Sequence, residues 1–462
     1  MSKEKKLPNP QENKMGIMPV GKLLFTMALP MIIAMLVQAL YNIVDSIYVS
    51  RISEKAVTAL SLAFPVQNIL IGFATGVGVG VNALLSKSLG EGNQKAANRA
   101  AGNGVFLALL ATVLFILFGI FGSRPFFQLQ SNVAETVEGG TVYIAICCIG
   151  SLGIFIEVLG ERLLQSSGRT IYTMITQGVG AVINIVLDPV FIFGFAPLGI
   201  PAMGIAGAAV ATVFGQWIAA ILAIVFNLKC NPDVQFALSY LLPKKQSILP
   251  ILTVGVPSII MVGIGSVMNF GMNQILQGLD PTETAAGVFG IYFKLQSFFF
   301  MPLFGINNAT ISIVAYNYGA RNPKRITGTL LRSSITALCI MIVGLLVFQI
   351  FPDMLLGIFN PSDEFLRIGR SALRIIGICF PAAAIGIALS ASFQALGNGI
   401  YSTITSICRQ MLVLLPAAYL LSLSGEVTNV WWSFPIAECV SLLVTILLFT
   451  RIYRKKIKPL SE

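Results

Sequence analysis

The chain contains no histidine. That absence removes imidazole relays, His-based catalytic triads and the commonest zinc ligand sets from consideration. Charge is also scarce, at 11% of 462 residues, against about a quarter in an ordinary soluble domain. A chain this long and this poor in charge cannot cover a water-facing surface, so much of its exterior must meet lipid. Serine-nucleophile motifs and zinc-type cysteine spacings are missing too, and no enzyme chemistry is expected. Of the seven cysteines, Cys147, Cys148, Cys339, Cys379, Cys408 and Cys439 lie inside apolar runs and Cys230 in a polar linker; free thiols are expected. Residues 1–20 are polar and basic and lack the apolar core of a signal peptide.

What is present is a series of apolar runs roughly 20–30 residues long, enough to cross a bilayer core. Hydropathy and Pro/Gly punctuation predict twelve helices, at 22–50, 56–86, 96–122, 132–164, 169–195, 203–228, 247–279, 283–318, 325–351, 362–392, 397–424 and 427–455. The net charge of +11 does not point to nucleic acid, because the basic residues sit between the apolar runs. There they set topology. With the N-terminus in the cytoplasm, 22 of the 30 Lys and Arg residues fall inside. Arg51, Lys55, Arg124, Arg367, Arg370 and Arg374 fall outside or near it, and Lys294 and Arg409 lie within spans. The expected protein is a multi-pass bacterial inner-membrane protein with both termini cytoplasmic.

The sequence repeats itself. Gln165–Gly168, followed by Ile171-Tyr172, recurs as Gln394–Gly397 followed by Ile400-Tyr401, a shift of 229 residues. At the same shift Gly90, Asn93 and Lys95 match Gly319, Asn322 and Lys324, and Phe64 and Gln67 match Phe293 and Gln296. Near the start of each half the shift is 227, from Thr26 and Pro30 to Thr253 and Pro257. Six-helix copies keep the same orientation, which predicts an all-α fold of two six-helix lobes related by a pseudo-two-fold axis along the membrane normal. The expected division is an N-terminal lobe over 1–228, a cytoplasmic linker over 229–246 carrying Pro232, Pro243, Lys244 and Lys245, and a C-terminal lobe over 247–462. Gly72, Gly76 and Gly80 form a small-residue row suited to close helix packing.

Carboxylates in a membrane span cost roughly 3 kcal/mol each and usually serve a pathway. Gln38, Tyr41, Asn42 and Asp45 share one face late in the first helix. Asn184 and Asp188 share a face of the fifth, ahead of Pro189, and Thr212 in the sixth supplies a hydroxyl. By helical rise, Asp45, Asp188 and Thr212 lie roughly 34, 28 and 24 Å above the cytoplasmic side, in the outer half of the first lobe. Two carboxylates, an amide oxygen and hydroxyls suit a hard cation such as Na+. They equally suit a proton, since burial and a neighbouring like charge favour the neutral acid. At the repeat shifts Asp45 becomes Met272 and Asp188 becomes Ala417, so the second lobe lacks this centre. It carries Lys294, Arg409 and Glu438 in spans instead, for which a neutralising ion-pair network is expected. Glu157 and Glu161, near the cytoplasmic end of the fourth helix, are expected to pair with Arg162 or Arg169. Met268 and Phe298-Phe299-Phe300-Met301 line an apolar cavity or face lipid.

Tyr41-Asn42-Ile43-Val44-Asp45-Ser46, Asn184-x-x-x-Asp188-Pro189, Gly90-Glu91-Gly92-Asn93 with its repeat Gly319-Ala320-Arg321-Asn322, and Arg409-Gln410 with Pro416 resemble the multidrug and toxic compound extrusion (MATE) transporters of bacteria. The resemblance covers essentially the whole chain. It implies a V-shaped pair of lobes exporting cationic or amphipathic drug-like molecules by Na+ or H+ antiport, with no other cofactor and no obligatory protein partner. It implies that Asp45, Asn184, Asp188 and Thr212 form a cation-coupling site. Some relatives place acids in the seventh and tenth helices; here the seventh offers Asn269, Asn273 and Gln274. Gln38, Tyr41, Asn42, Asn269, Lys294, Arg409 and Glu438 are expected in the lobe interiors, toward substrate. A lipid-linked precursor flippase of the same superfamily and a passive channel are the alternatives.

Overall fold

The chain is described by a computed structural model covering residues 13–280, 282, 284–359 and 362–461, without the side chains of Asn42, Ile43, Ser46, Ser50, Glu54, Lys55, Val57 and Leu198. Twelve spans follow in order: Val20–Ser50, Glu54–Gly90, Gln94–Leu117 with its extension to Gln128, Ala134–Ile149 with Leu152–Ser166, Thr170–Phe193, Ile205–Cys230, Lys245–Leu279, Thr284–Gly319, Pro323–Ile350, Asp363–Gly377 with Phe380–Ala395, Gly399–Ser422, and Val427–Leu460. Among the described residues, ten are continuous enough, long enough and apolar enough to cross a membrane unbroken. The fourth and tenth are bent, by 46° and 47°, at breaks two residues long. The breaks, at Gly150-Ser151 and Ile378-Cys379, stand at matching places in the two halves. Among the described residues there is no β-strand, and only one isolated bridge, Phe195 to Ile200.

Local chemistry repeats with the sequence. Asn93 caps the third span by accepting the Ala96 N–H at 3.0 Å, and its counterpart Asn322 caps the ninth by accepting the Arg325 N–H at 3.2 Å. A side-chain oxygen here satisfies a backbone donor that the first helical turn leaves open. The residue before each cap pair takes a positive φ: 69° at Gly92 and 52° at Arg321. Gly168 and Gly397, at the turns leading into the fifth and eleventh spans, have φ of 78° and 73°.

One buried apolar core is built mainly by the first lobe, with Ile251, Ile306, Ala309, Ile313 and Tyr316 added by the second, and another lies wholly within the second lobe. A third cluster crosses between them, joining Val79 to Val254, Ile311 and Val314. Large apolar side chains such as Phe25, Phe64, Phe121 and Leu447 stand exposed on the outside, where lipid would cover them.

The lobes meet most closely where glycine removes the Cβ. A side chain on Gly76 would strike Ile259 and the Gly255 carbonyl, and one on Gly80 the Ile251 carbonyl. The expected close packing of the small-residue row is therefore against the seventh span. Further along, a Cβ on Gly90 would overlap the Tyr316 carbonyl oxygen, and one on Gly319 the Lys87 carbonyl oxygen. These two contacts exchange under the 229-residue shift, so the lobes clasp each other reciprocally about the pseudo-two-fold axis. Asn82 Oδ1 accepts from Ser86 (3.1 Å), Ser166 (2.8 Å) and, across the lobes, Ser312 (3.0 Å). The N-terminal segment adds a strap. Met15 is fully buried, and its carbonyl accepts from Asn317 (3.2 Å) and Arg325 (2.9 Å). The neighbouring Lys14 loses basicity through burial and through the like charge of Arg169.

Candidate ion and substrate sites

The first, fifth and sixth spans pack together and bring the expected acids into one region. Asp188 is fully buried, Asn184 and Thr212 are buried, and Asp45 is half-buried. With its amide turned to suit its neighbours, Asn184 donates through nitrogen to Asp188 Oδ2 (3.0 Å). Its oxygen accepts from the Thr212 hydroxyl (3.2 Å) and the Thr212 backbone N–H (3.0 Å). This chain of bonds ties the fifth span to the sixth and fixes the Asp188 side chain. The remaining oxygen, Asp188 Oδ1, is buried with no hydrogen-bond partner, and so is Asp45 Oδ1. Two buried carboxylate oxygens without donors are costly to hold. They are the atoms a hard cation or a proton would satisfy.

Below these acids lies a cavity of about 170 Å³ whose lining includes Gln38, Tyr41, Asn184 and Thr212. Gln38 accepts from Gln177 at 3.2 Å. Asn42, expected beside them, has its side chain outside the described residues. The cavity also holds Glu157, Glu161, Arg162, Gln165 and, from the second lobe, Asn308. Here the expected pairing of the two glutamates is not seen as direct contact. Arg162 donates to Gln165 Oε1 at 2.9 Å, and Arg169 pairs with Asp233 at the linker. Among the described ion pairs neither glutamate has a basic partner. The cause is geometric: Arg162 is one residue round the helix from Glu161 and turns toward Gly78, where a Cβ would meet its Cγ at 2.8 Å. The spacing of Glu157, Glu161 and Gln165, four apart on one face, was the available signal that they line something.

The second lobe holds a cavity of about 310 Å³ lined by Met268, Asn269, Tyr292, Phe293, Phe300, Met301, Phe304, Phe434, Arg409 and Glu438. Asn269 donates to the Gly265 carbonyl at 3.0 Å. Phe300 and Met301 thus face the cavity, whereas Phe298 is exposed and Phe299 stacks edge-on against Phe348. Arg409 pairs with Glu438 at 3.3 Å. Lys294 does not join them: it is exposed on the eighth span. Tyr292 and Leu295 of that span are buried, and Lys294 falls on the opposite side of a 3.6-residue turn. Beyond the ion pair lies a smaller, polar cavity of about 80 Å³ that includes Ser390, Gln394, Thr405 and Ser406. Arg409 and Glu438 line both, so the pair forms the wall between an aromatic chamber and a polar one.

Arg409 and Gln410 both line the larger chamber because the eleventh span widens into a π-helical segment, Cys408–Leu414. Neighbours on an α-helix diverge by about 100°; the wider turn lets both face inward, a departure often found at functional sites. At the 229-residue shift, Arg409 takes the place of Gly180 and Gly386 the place of Glu157. In the first lobe an acid on the fourth span packs against glycine on the fifth. In the second lobe a base on the eleventh replaces that glycine, and glycine replaces the acid. Among the described residues no group of three or more His, Cys, Asp and Glu is placed to hold a metal ion.

Comparison with known proteins agrees with this architecture. The family model MatE matches the chain twice, over residues 30–190 and 257–420. Multidrug export protein MepA of Staphylococcus saprophyticus is 24% identical over 422 residues, 91% of each chain. The probable multidrug resistance protein NorM of Thermotoga maritima is 27% identical over 87% of this chain and 86% of its own. A solved structure described as the outward-facing conformation of a multidrug resistance MATE family transporter of the MOP superfamily superposes with a TM-score of 0.90. Its identity is 25%, over 98% of this chain and 100% of its own. The two matched segments begin 227 residues apart, which is the repeat read from Thr26 and Thr253. A twofold match over most of the length, on a fold of two six-helix lobes, places this chain in the MatE family of membrane transporters.

Proposed function

We propose that this chain exports drug-like cationic or amphipathic molecules from a bacterial cell by cation antiport through alternating access. The observation that carries the reading is the pair of partnerless carboxylate oxygens at Asp45 and Asp188, on two spans of one lobe. A cation arriving there, Na+ or H+, is held by Asp45 and Asp188, with Asn184 and Thr212 bracing the site. Both termini and the linker 229–246 face the cytoplasm. The glycine clasp of the second, seventh and eighth spans then closes the inner side, and the cavities open outward.

Binding drives export only if the ion favours one state over the other. Filling the Asp45–Asp188 site removes repulsion between the first and fifth spans and so favours their closer packing. That movement alters the shared wall of the two lobes and weakens the hold on substrate in the aromatic chamber. Dye efflux from proteoliposomes under imposed Na+ or pH gradients tests the reading. Gradient-driven efflux that Asp188→Asn abolishes, with the variant still folded, supports it. Undiminished efflux from that variant, or efflux indifferent to both gradients, refutes it.

A further inference from the structure

The inner end of the first-lobe cavity holds two acids to which the outer carboxylate site gives no use. We propose that Glu157 and Glu161 form a second station for a hard monovalent cation of the sodium type. It lies on the path between Asp45–Asp188 and the opposite end of the first lobe.

Glu161 is 7% exposed, and its Oε1 atom is buried with no hydrogen-bond partner. An orphaned carboxylate oxygen in a water-poor interior carries a large desolvation cost, and a bound cation would offset it. Glu157 lies one turn along the same face, its Oε1 3.9 Å from where a Gly180 Cβ would stand. Like charges at this spacing repel, so the pair gains from a shared counter-ion. Arg162, which donates to Gln165 Oε1 at 2.9 Å, offsets one of the two charges and leaves the other without a counter-charge.

Charge and donor chemistry specify the ligand. Two glutamates and one arginine leave a single negative charge, which one monovalent ion balances and a divalent ion overshoots. The cavity wall adds oxygens from three other spans: Gln38, Thr173 with Gln177, and Asn308. Among the described residues, Tyr41 is the one further titratable side chain facing the cavity, and the fifth, sixth and eighth spans present neutral groups there. Hard oxygen donors without imidazole or thiolate suit alkali and alkaline-earth ions.

The two stations are distinct. Thr173 donates to the Glu161 carbonyl at 3.4 Å, so Glu161 is level with Thr173 of the fifth span. Asp188 lies fifteen residues farther, roughly 22 Å at helical rise. Glu157, level with Gly180, stands between them.

The inference goes beyond the proposed antiport, and equilibrium binding of 22Na+ separates their fates. The full chain in nanodiscs at pH 8 is expected to bind two sodium ions, and Asp188→Asn one. Adding Glu161→Gln to Asp188→Asn is expected to remove the last. If that double variant does not elute as folded protein, Glu157→Gln in the same background gives the same readout. Residual binding in Asp188→Asn that Glu161→Gln and Glu157→Gln both leave unchanged overturns the second station. So does a wild type that binds one ion and loses it to Asp188→Asn. A wild type that binds no sodium also overturns it, while efflux driven by a pH gradient would leave the antiport proposal standing.

Discussion

Replacing Gly319 by alanine adds one methyl group where none fits. A Cβ at this position would overlap the Lys87 carbonyl oxygen and stand 3.0 Å from the Glu91 amide nitrogen. Both are backbone atoms at the end of the second span and cannot swing aside. Non-bonded heavy atoms settle roughly 3.5 Å apart, so the second and eighth spans must part locally by about 1 Å or more. Overpacking of this kind costs about 1–3 kcal/mol. The cost falls only on the state in which these helix ends touch. It therefore moves the balance between closed and open ends by about 5- to 150-fold. Gly90→Ala is expected to match it, because the Tyr316 carbonyl oxygen stands in the same relation to Gly90. The double variant is expected to add little, since one wedge already parts the contact.

The assay is maleimide labelling of Ser86→Cys in a background without the seven native cysteines. Ser86 is fully buried beneath this closure. Faster labelling in Gly319→Ala, with substrate efflux slowed and the elution profile unchanged, is the expected result. Labelling as slow as in the parent, from protein that remains folded, would refute the claim that this contact seals the inner end.

Arg409→Met removes the partner of Glu438, whose side chain is only 15% exposed; the uncompensated acid should cost about 2–4 kcal/mol, read as a lower melting temperature in detergent. Arg409→Met with Glu438→Gln should recover much of that loss. Asp233→Ala strands Arg169 and its contacts at Ser167 and Asn231, and should lower the melting temperature by several degrees without changing ion selectivity. Lys294→Gln, on an exposed face, should leave efflux and melting temperature unaltered; a marked loss of efflux would place Lys294 in the pathway after all.

The twelve spans were legible because a bilayer imposes a single length and composition on each, and Pro/Gly punctuation marks their ends. The repeat was legible because turns, unlike apolar helices, need particular residues: Asn93 and Asn322 at caps, Gly168 and Gly397 at positive φ. Helical spacing and depth were enough to place Asp45, Asn184, Asp188 and Thr212 in one region; their grouping as one cation site came from the family resemblance. Other features needed three dimensions. Helix periodicity sets Lys294 apart from Tyr292, whereas its charge alone says nothing about which face of the span carries it. Arg162 beside two glutamates suggested neutralisation, yet the side chain's direction is decided by Gly78 on another span. The inward turn of both Arg409 and Gln410 depends on a π-helical segment, for which no residue pattern gave notice.

Asn308 belongs to the eighth span yet lines the cavity of the first lobe, and Gly305 on the same helix sits against Ile32 of the first span. The first-lobe cavity is therefore a shared room, with one panel built by the opposite lobe. If the lobes rock as proposed, that panel travels while the other walls stay, and the dimensions of the chamber report the angle between the halves. A first lobe expressed without its twin would fold around a breach, and its affinity for ions should be that of an unfinished container.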